Sequence, residues 1–481
     1  MKTVISRRDL LSGAAALALG TTFSPIRGIA APAPDVIRAE SRTIEVAGRA
    51  ARVYGLAGPG GRPGITLTAA DRFRVQLQNG LDEPTLIHWH GLTPPYRQDG
   101  VPVLAQAPLE AGESYAYDFP LTRPGTNWMH SHLDLQEQLL LAAPLIIRDP
   151  AEAGLDEQEV VVMLHDFTFR DPREILADLT GGSMPGHGGM PGMAGHDMSA
   201  MPGHGSMSAD PDLNDIEFDA YLANDRDLDD PEIVTVERGG RVRLRIINGA
   251  AATNFMLDLG AAKGEVVAVD GMPVQPIAGS RFPLAIAQRL DVRLTMPADG
   301  SALPVLAVRE GSGRRTGIVL APRGAAVSRL TPSADVAASA LDLSFEAALE
   351  AASPLPRRAV GRRLTVGLTG DMMGYVWGID GLAYGQHQPI PVGRGERVEL
   401  TLANHTGMAH PMHLHGHHFQ VVAIGANRLS GAMRDTVLVP PMTSVTLAFD
   451  ADNPGTWVFH CHHMYHMAAG MMTTLVYTGQ T

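Results

Sequence analysis

Three stretches of the chain alternate hydrophobic and polar residues in the same way, and each ends in asparagine. They cover residues 71–79, 240–248 and 396–404. Alternation of this length indicates a β-strand with one buried face, because successive side chains of a strand point to opposite faces. Because the copies are separated by about the length of a domain, they predict three similar domains, each large enough to have its own core.

Shorter alternating runs, bounded by glycine and proline, predict further strands, as at residues 65–68, 234–236 and 444–449. Short strands separated by turn residues are typical of β-sandwiches and β-barrels. We therefore predict an all-β protein.

The repeat divides the chain into three predicted domains, which cover residues 34–155, 156–323 and 361–481. Residues 324–360 are rich in alanine and serine, and we predict that they form the linker into the third domain, in which a short helix can form. The second domain is predicted to carry a flexible insertion, residues 181–210, described below.

The first 33 residues read as an export signal, with a basic start, an apolar core at residues 10–19 and small residues at 30–33. Residues 6–11 resemble a twin-arginine signal, so we expect export by the twin-arginine machinery to the periplasm. An ordinary secretory signal is the alternative. No other apolar run reaches the roughly 20 residues that span a bilayer, so the mature protein is expected to have no membrane span.

Charge and cysteine content narrow the function classes. The chain has 38 basic and 51 acidic residues, a formal net charge of −13, which argues against a nucleic-acid partner. Cys461 is the single cysteine, which excludes an intramolecular disulfide. A free thiol in an oxidising compartment needs an occupant, and copper ligation would provide one.

Two histidines follow the first and the third copy of the repeat at the same offsets from the closing asparagine. These pairs are His88 and His90 in the first copy and His413 and His415 in the third. The same offsets in the second copy give Leu257 and Leu259. A second match aligns residues 125–132 with residues 455–462, and Ser131 takes the place of Cys461. We therefore predict metal ligands in the first and third domains and none in the second.

Cys461 and its neighbours suit two metal centres on opposite faces of one strand. In a strand, His460 and His462 share one face and Cys461 lies on the other. A blue-copper site takes two imidazoles, one thiolate and a weak axial thioether. The candidates for that site are His410, Cys461, His466 and Met471.

Eight histidines remain, enough for three copper ions with open positions for dioxygen or water. They are His88, His90, His130, His132, His413, His415, His460 and His462. A strand at residues 413–415 would hold His413 and His415 on one face. His410, on the other side of Pro411, would be free to point away from that face. Because the first and third domains each supply four, the cluster is expected at their interface.

Four motifs in this order resemble the copper motifs of the multicopper oxidases. They are His-Trp-His-Gly at 88–91, His-Ser-His at 130–132, His-Pro-Met-His-Leu-His-Gly at 410–416 and His-Cys-His at 460–462. The resemblance covers residues 42–481 and implies three cupredoxin-like Greek-key β-barrels with four copper ions. In that family a type 1 copper takes single electrons from substrate, and a trinuclear cluster reduces dioxygen to water.

The resemblance also assigns the ligands by position. His88 and His413 match the ligands of the type 2 copper, and the other six cluster histidines match those of the type 3 pair. Asp99 matches a family acid near the cluster, where it would relay protons; a turn residue in an Asp-Gly pair is the alternative. Met467 occupies the position where some members of the family have a second acid.

We expect the protein to be a monomer.

Residues 181–210 are rich in methionine and histidine among Gly, Pro and Ser, a composition that cannot form a core. The methionines are Met184, Met190, Met193, Met198, Met201 and Met207. Thioethers select Cu(I), so these residues, with Met408 beside His410, are candidates for Cu(I) delivery. A passive loop, and packing for Met408, are the alternatives.

Residues 131–138 and 465–467 resemble copper-resistance oxidases. We therefore predict an oxidase of Cu(I), of phenols and aromatic amines, or of both, with a role in copper tolerance. The alternatives are a general laccase and a copper-binding protein of the periplasm without turnover.

Overall fold

A computed structural model describes residues 33–181 and 213–479, in which six β-sheets pack in three pairs. The all-β prediction is confirmed, and each pair of sheets is a cupredoxin-like Greek-key β-barrel. Residues 1–32, almost all of the predicted export signal, lie outside the described residues, as do the six methionines of 181–210. Among the described residues no helix is both long and apolar enough to cross a membrane.

The first barrel pairs a sheet of order β2-β1-β4-β6 with one of order β3-β8-β7-β5. Its strands are β1 (Asp35–Val46), β2 (Arg49–Ala57), β3 (Ile65–Thr68), β4 (Arg72–Asn79), β5 (Ile87–His88), β6 (Ser114–Pro120), β7 (Gly125–Ser131) and β8 (Ala142–Arg148). Short 3₁₀ turns lie at Pro59–Gly61, Tyr96–Gln98 and Pro150–Glu152.

The second barrel has a six-stranded sheet, β10-β9-β12-β17-β14-β15, and a five-stranded sheet, β11-β19-β18-β13-β16. Its strands are β9 (Gln158–Phe167), β10 (Ala220–Ala223), β11 (Ile233–Val236), β12 (Arg241–Asn248), β13 (Phe255–Asp258), β14 (Gly264–Val269), β15 (Met272–Gly279), β16 (Arg281–Leu284), β17 (Arg289–Thr295), β18 (Leu303–Arg309) and β19 (Arg315–Pro322). Helix α1 (Pro172–Thr180) follows β9, and helix α2 (Ser344–Ala348) lies in the predicted linker.

The third barrel has one sheet of order β21-β20-β23-β29-β25-β26, with β27 paired to β25, and a second of order β22-β31-β30-β24-β28. Its strands are β20 (Arg362–Asp371), β21 (Val376–Ile379), β22 (Ile390–Gly393), β23 (Arg397–Asn404), β24 (His410–Leu414), β25 (Phe419–Ile424), β26 (Asn427–Arg428), β27 (Met433–Arg434), β28 (Thr436–Val439), β29 (Ser444–Asp450), β30 (Thr456–Cys461) and β31 (Met472–Thr478). Helix α3 (Met464–Ala468) connects β30 to β31.

The predicted repeat occupies the same place in all three barrels. Strands β4, β12 and β23 each pair in parallel with the first strand of their barrel, which is β1, β9 and β20 respectively. On their other edge they pair antiparallel with β6, β17 and β29. The similarity of the three stretches therefore reflects one supersecondary unit used three times.

The asparagine that ends each repeat strand has the same function in all three barrels. Each side-chain NH₂ donates to backbone carbonyls, and each Oδ1 accepts the backbone N–H two residues further on. At Asn248 the carbonyls are those of Thr253 and Leu284, at 2.9 and 3.1 Å. All three asparagines are buried, so the amide closes the turn where water cannot replace it.

We expect Asn248→Ala to destabilise the second barrel without removing any predicted ligand. The substitution leaves two buried carbonyls and one N–H without their partner, which costs about 1–3 kcal/mol for each unsatisfied group before relaxation. The thermal unfolding temperature of the copper-free protein should therefore fall. Asp258→Asn, at a partly exposed position of β13, serves as the control, and an equal fall in both variants would contradict the explanation.

Candidate metal centre

Strand β30 carries Cys461 at its end and pairs antiparallel with β24. In this register Cys461 lies opposite Met412, and His460 lies opposite His413. Because side chains alternate along both strands, Cys461 points to one face and its neighbour His460 to the other.

The thiol lies beside two of the predicted ligands of the blue-copper site. Cys461 Sγ is 3.7 Å from His410 Nδ1 and 3.9 Å from His466 Nδ1, and the two nitrogens are 3.2 Å apart. All three side chains are fully buried. Met471 is buried as well, and its carbonyl accepts the backbone N–H of Cys461 at 3.0 Å. The fold therefore brings the four predicted residues to one place.

His410 reaches this centre by strand alternation. Strand β24 begins at His410 and ends at Leu414, whereas the sequence predicts a strand at 413–415, with His410 on the far side of Pro411 and outside the strand. Three positions separate His410 from His413, so the two side chains lie on opposite faces of the same strand. His415 follows the strand in a turn.

The second nitrogen of each imidazole is held by a polar side chain. His410 Nε2 is 2.7 Å from the Thr406 hydroxyl, and His466 Nε2 is 3.1 Å from Asp215 Oδ2. Such outer contacts select the tautomer that leaves the other nitrogen free to bind metal. Asp215 also accepts from the imidazole of His463 at 3.0 Å. Neither polar residue was predicted from the sequence; for Asp215 the reason is that no periodicity relates position 215 to position 466.

The eight remaining histidines meet between the first and third barrels. Their ligand atoms form three groups, and the atoms of each group lie within 4.8 Å of one another. The groups are His90, His130 and His462, then His132, His415 and His460, and then His88, His90 and His413. Two groups of three thus account for six histidines, and His88 and His413 are left as a pair.

Asp99 lies at this cluster and in a turn at the same time. It ends the 3₁₀ turn Tyr96–Gln98, and its carboxylate accepts from His415 Nδ1 at 2.8 Å. Its carbonyl accepts from His88 Nδ1 at 2.9 Å. Gly100 has a φ of +78°, and a Cβ there would lie 1.8 Å from the Ile87 carbonyl. Only glycine lets the turn pack this closely beside the His88 strand.

Two further buried carboxylates contact the cluster and were not predicted. Asp435 Oδ1 is 3.1 Å from His90 Nε2. Glu137 Oε2 is 2.9 Å from His130 Nδ1 and lies five residues after His132. Glu137 could have been suspected from the sequence, because it is a charged residue shortly after the His-Ser-His motif. Asp435 could not, because its contact with His90 depends on how the third barrel packs.

Unpaired nitrogen atoms indicate that the cluster is built for metal. Six buried imidazole nitrogens have no hydrogen-bond partner among the described residues: His88 Nε2, His90 Nδ1, His130 Nε2, His132 Nε2, His413 Nε2 and His462 Nε2. In the remaining pair, His415 Nε2 and His460 Nε2 lie 3.1 Å apart. Buried polar atoms are rarely left unpaired, so converging lone pairs of this number fit several copper ions.

Burial favours the neutral form, which is the form that binds metal, in most of these imidazoles. It lowers the pKa of His132 to about 3 and that of His466 to about 4, with neighbouring histidines acting in the same direction. The pKa values of His90, His130, His413, His415, His460 and His462 are lowered by the same cause. Burial raises the pKa of the Cys461 thiol, so copper binding must displace its proton.

Met408 and Met467 lie near the thiol centre in sequence. Met408 is 4% exposed, and its carbonyl accepts from the Asn404 side chain. Its thioether is therefore packed inside the protein. Met467, in α3, is partly buried against the core and brings no acid to the centre.

The site combines a single-cysteine centre with a cluster of eight histidines, and similarity to known proteins shows that the protein is a copper-dependent oxidoreductase that uses dioxygen. Family models described as multicopper oxidase match residues 38–152, 158–317 and 361–480, which is more than half of the chain. The chain belongs to the multicopper oxidase family, and the resemblance seen in its sequence motifs is confirmed.

Proteins named as multicopper oxidases, copper resistance proteins or laccases are similar to this protein over most of its chain. Multicopper oxidase MmcO of Mycobacterium tuberculosis is 34% identical over 436 residues, which cover 88% of this chain and 82% of the relative. Copper resistance protein A of Escherichia coli is 27% identical, covering 86% and 87%. The crystal structure of laccase from Botrytis aclada superposes with a TM-score of 0.74 at 22% identity, covering 92% and 87%. The latter shows the fold alone.

The copper-free protein should lose stability as the pH falls from about 7 to about 5, because unfolded histidines take up protons near pH 6.5. The folded histidines resist protonation since their pKa values are lowered, so the unfolded state binds more protons and the free energy of unfolding decreases. Thermal unfolding at several pH values measures this. His130→Asn should weaken the dependence and His405→Asn, at an exposed position, should not; a flat profile for the unmodified protein would refute the expectation.

Proposed function

We propose that the protein removes single electrons from its substrate at the centre of His410, Cys461, His466 and Met471, and reduces dioxygen to water at the eight-histidine cluster. The observation that carries this proposal is the position of Cys461 between His460 and His462. His460 and His462 belong to different groups of three histidines. The covalent path from the sulfur through the backbone to either imidazole is on the order of 10 Å, as strand dimensions require.

We assign four copper ions to these residues. The type 1 copper would be held by the thiol centre, and the type 2 copper by His88 and His413. One type 3 copper would be held by His90, His130 and His462, and the other by His132, His415 and His460. Bound there, copper would supply one-electron chemistry and binding of dioxygen, while the buried histidines and carboxylates orient the ligands and exclude bulk water.

Protons for water formation require an acid at the cluster, and Asp99 is the residue we propose. Its carboxylate lies 2.8 Å from His415 Nδ1 and its main chain contacts His88. Asp99 is therefore in contact with one proposed ligand of the type 2 copper, His88, and one of a type 3 copper, His415. Met467 offers no second acid at the position where some family members have one.

For the substrate we propose Cu(I), with a role in copper tolerance after export to the periplasm. The methionine-rich segment supports this, because thioethers bind Cu(I) selectively. The described chain resumes at residue 213, directly after that segment, and Asp215 contacts His466 of the thiol centre. The chain that follows the segment is thus anchored at the centre where electrons would be accepted. The name of the Escherichia coli relative, copper resistance protein A, agrees.

Cys461→Ser should abolish the visible absorption of the blue copper and leave three copper ions per chain. A hydroxyl does not replace the thiolate as a soft ligand, so oxygen uptake with any donor should fall to the level of copper-free protein. Ser131→Ala changes the matching position of the first barrel and should keep four coppers and the absorption. Four coppers and normal turnover in the Cys461 variant would refute the proposed electron path.

Deletion of residues 182–210 tests the substrate. If the segment delivers Cu(I), oxygen uptake with Cu(I) should fall several-fold, while uptake with a phenol such as dimethoxyphenol holds or rises. A full-length variant with the six methionines replaced by leucine should behave like the deletion, which separates the thioethers from segment length.

Unchanged rates with both donors would make the segment passive and favour a general laccase. No oxygen uptake with either donor, in protein that holds four coppers, would overturn the oxidase proposal itself.

A further inference from the structure

The second barrel has no predicted copper ligand, yet one of its side chains reaches the eight-histidine cluster. Arg289, the first residue of β17, is fully buried. Its guanidinium donates to both carboxylate oxygens of Asp435 in the third barrel, at 2.7 and 2.5 Å. It also donates to the carbonyl of Thr126 in the first barrel at 3.1 Å. One side chain thus joins all three barrels beside the cluster.

Asp435 connects Arg289 to a histidine of the cluster. Its Oδ1 is 3.1 Å from His90 Nε2 and also accepts from the Thr436 hydroxyl at 2.9 Å. The Asp435 carboxylate is therefore fixed from two directions. The neighbouring guanidinium overcomes the effect of burial and keeps the pKa of Asp435 below its usual value.

His90 is oriented differently from the other cluster histidines with an unpaired nitrogen. Its partnerless atom is Nδ1, whereas the partnerless atom is Nε2 in His88, His130, His132, His413 and His462. The reason is that His90 Nε2 contacts Asp435 Oδ1 at 3.1 Å and the Thr436 hydroxyl at 3.2 Å, so that nitrogen is occupied. An N–H at Nε2 leaves the lone pair on Nδ1, and Nδ1 is the nitrogen that remains available to the two groups of histidines to which His90 belongs.

We propose that Arg289 is a positioning residue of the copper cluster: through Asp435 it holds His90 with Nδ1, not Nε2, toward the metal. A planar guanidinium that binds both carboxylate oxygens fixes the plane of Asp435, which a flexible ammonium would not do. This inference rests on the proposed function, because it requires copper at the eight-histidine cluster. It gives the ligand-free second barrel a part in the chemistry.

A purely structural role must be separated from positioning, since Arg289 belongs to a buried ionic network. Its backbone N–H donates to Asp270 at 2.9 Å. Asp270 pairs with Arg434 at 3.1 Å, and Arg434 pairs with Glu346 at 2.7 Å. Arg434 is almost as buried as Arg289 and belongs to the same network. Both guanidinium groups form an ion pair with Asp270, but the second partner of Arg434 is Glu346, whereas that of Arg289 is Asp435. It is therefore the matched control.

The experiment compares Arg289→Met, Arg289→Lys and Arg434→Met in full-length protein loaded with copper. Copper affinity is measured by competition with a chelator, and the copper content per chain by atomic absorption. The blue absorption serves as an internal reference for the thiol centre. Arg289→Met should bind one cluster copper about 10–100-fold more weakly, the usual effect of losing an outer contact to a metal ligand. The blue absorption should not change. Arg289→Lys should lie between wild type and Arg289→Met.

Arg434→Met should match wild type in copper affinity, even where it lowers the unfolding temperature as much as Arg289→Met does. Equal loss of copper in both methionine variants would overturn the proposal in favour of general network stability, and wild-type affinity in Arg289→Met would overturn it directly. Should Arg289→Met fail to fold, Arg289→Lys decides by the same affinity measurement. Wild-type protein that holds no copper at the cluster would overturn the proposed function instead.

A crystal structure of copper-loaded Arg289→Lys adds a readout independent of affinity. The contact between His90 Nε2 and Asp435 should be broken or lengthened in that variant, and the ring of His90 should be reoriented. An unchanged His90 with the Asp435 contact intact would count against a positioning role for Arg289.

Discussion

The antiparallel pairing of β24 with β30 is the constraint on which both metal centres depend. Each strand carries residues of both centres, His410 and His413 on β24 and His460 and Cys461 on β30. The alternation of side chains directs them to opposite faces, so the thiol centre and the histidine cluster lie on either side of the same two strands. A register slip of one residue would reverse every one of these side chains, which makes the register itself part of the site.

Burial shapes the chemistry of both centres. Burial lowers the pKa of His460 and raises the pKa of the Cys461 thiol, so the protein presents a neutral imidazole and a protonated thiol to copper. Positive charge placed among neutral ligands requires compensation nearby. The carboxylates of Asp99, Asp435 and Glu137 lie against cluster histidines and provide it.

The three barrels share one architecture but contribute unequally. At the offsets where the other two copies have histidines, the second barrel has Leu257 and Leu259, both buried in its core. Its contributions are polar contacts: Asp215 contacts the ligand His466 of the thiol centre, and Arg289 binds Asp435, which in turn contacts His90 of the cluster. A barrel that supplies none of the proposed ligands of the two centres thus supports both through side chains that approach from outside.

The sequence by itself determined the all-β class, the threefold repeat and the identity of the residues that meet in the two centres. These follow from local patterns: alternation within a strand, and pairs such as His460 and His462 around Cys461. Only the tertiary structure decided which outer side chains hold those ligands. Asp215 and His466 are 251 positions apart, and Arg289 and Asp435 are 146 apart. Their contacts arise from packing between barrels, which leaves no period and no spacing in the chain.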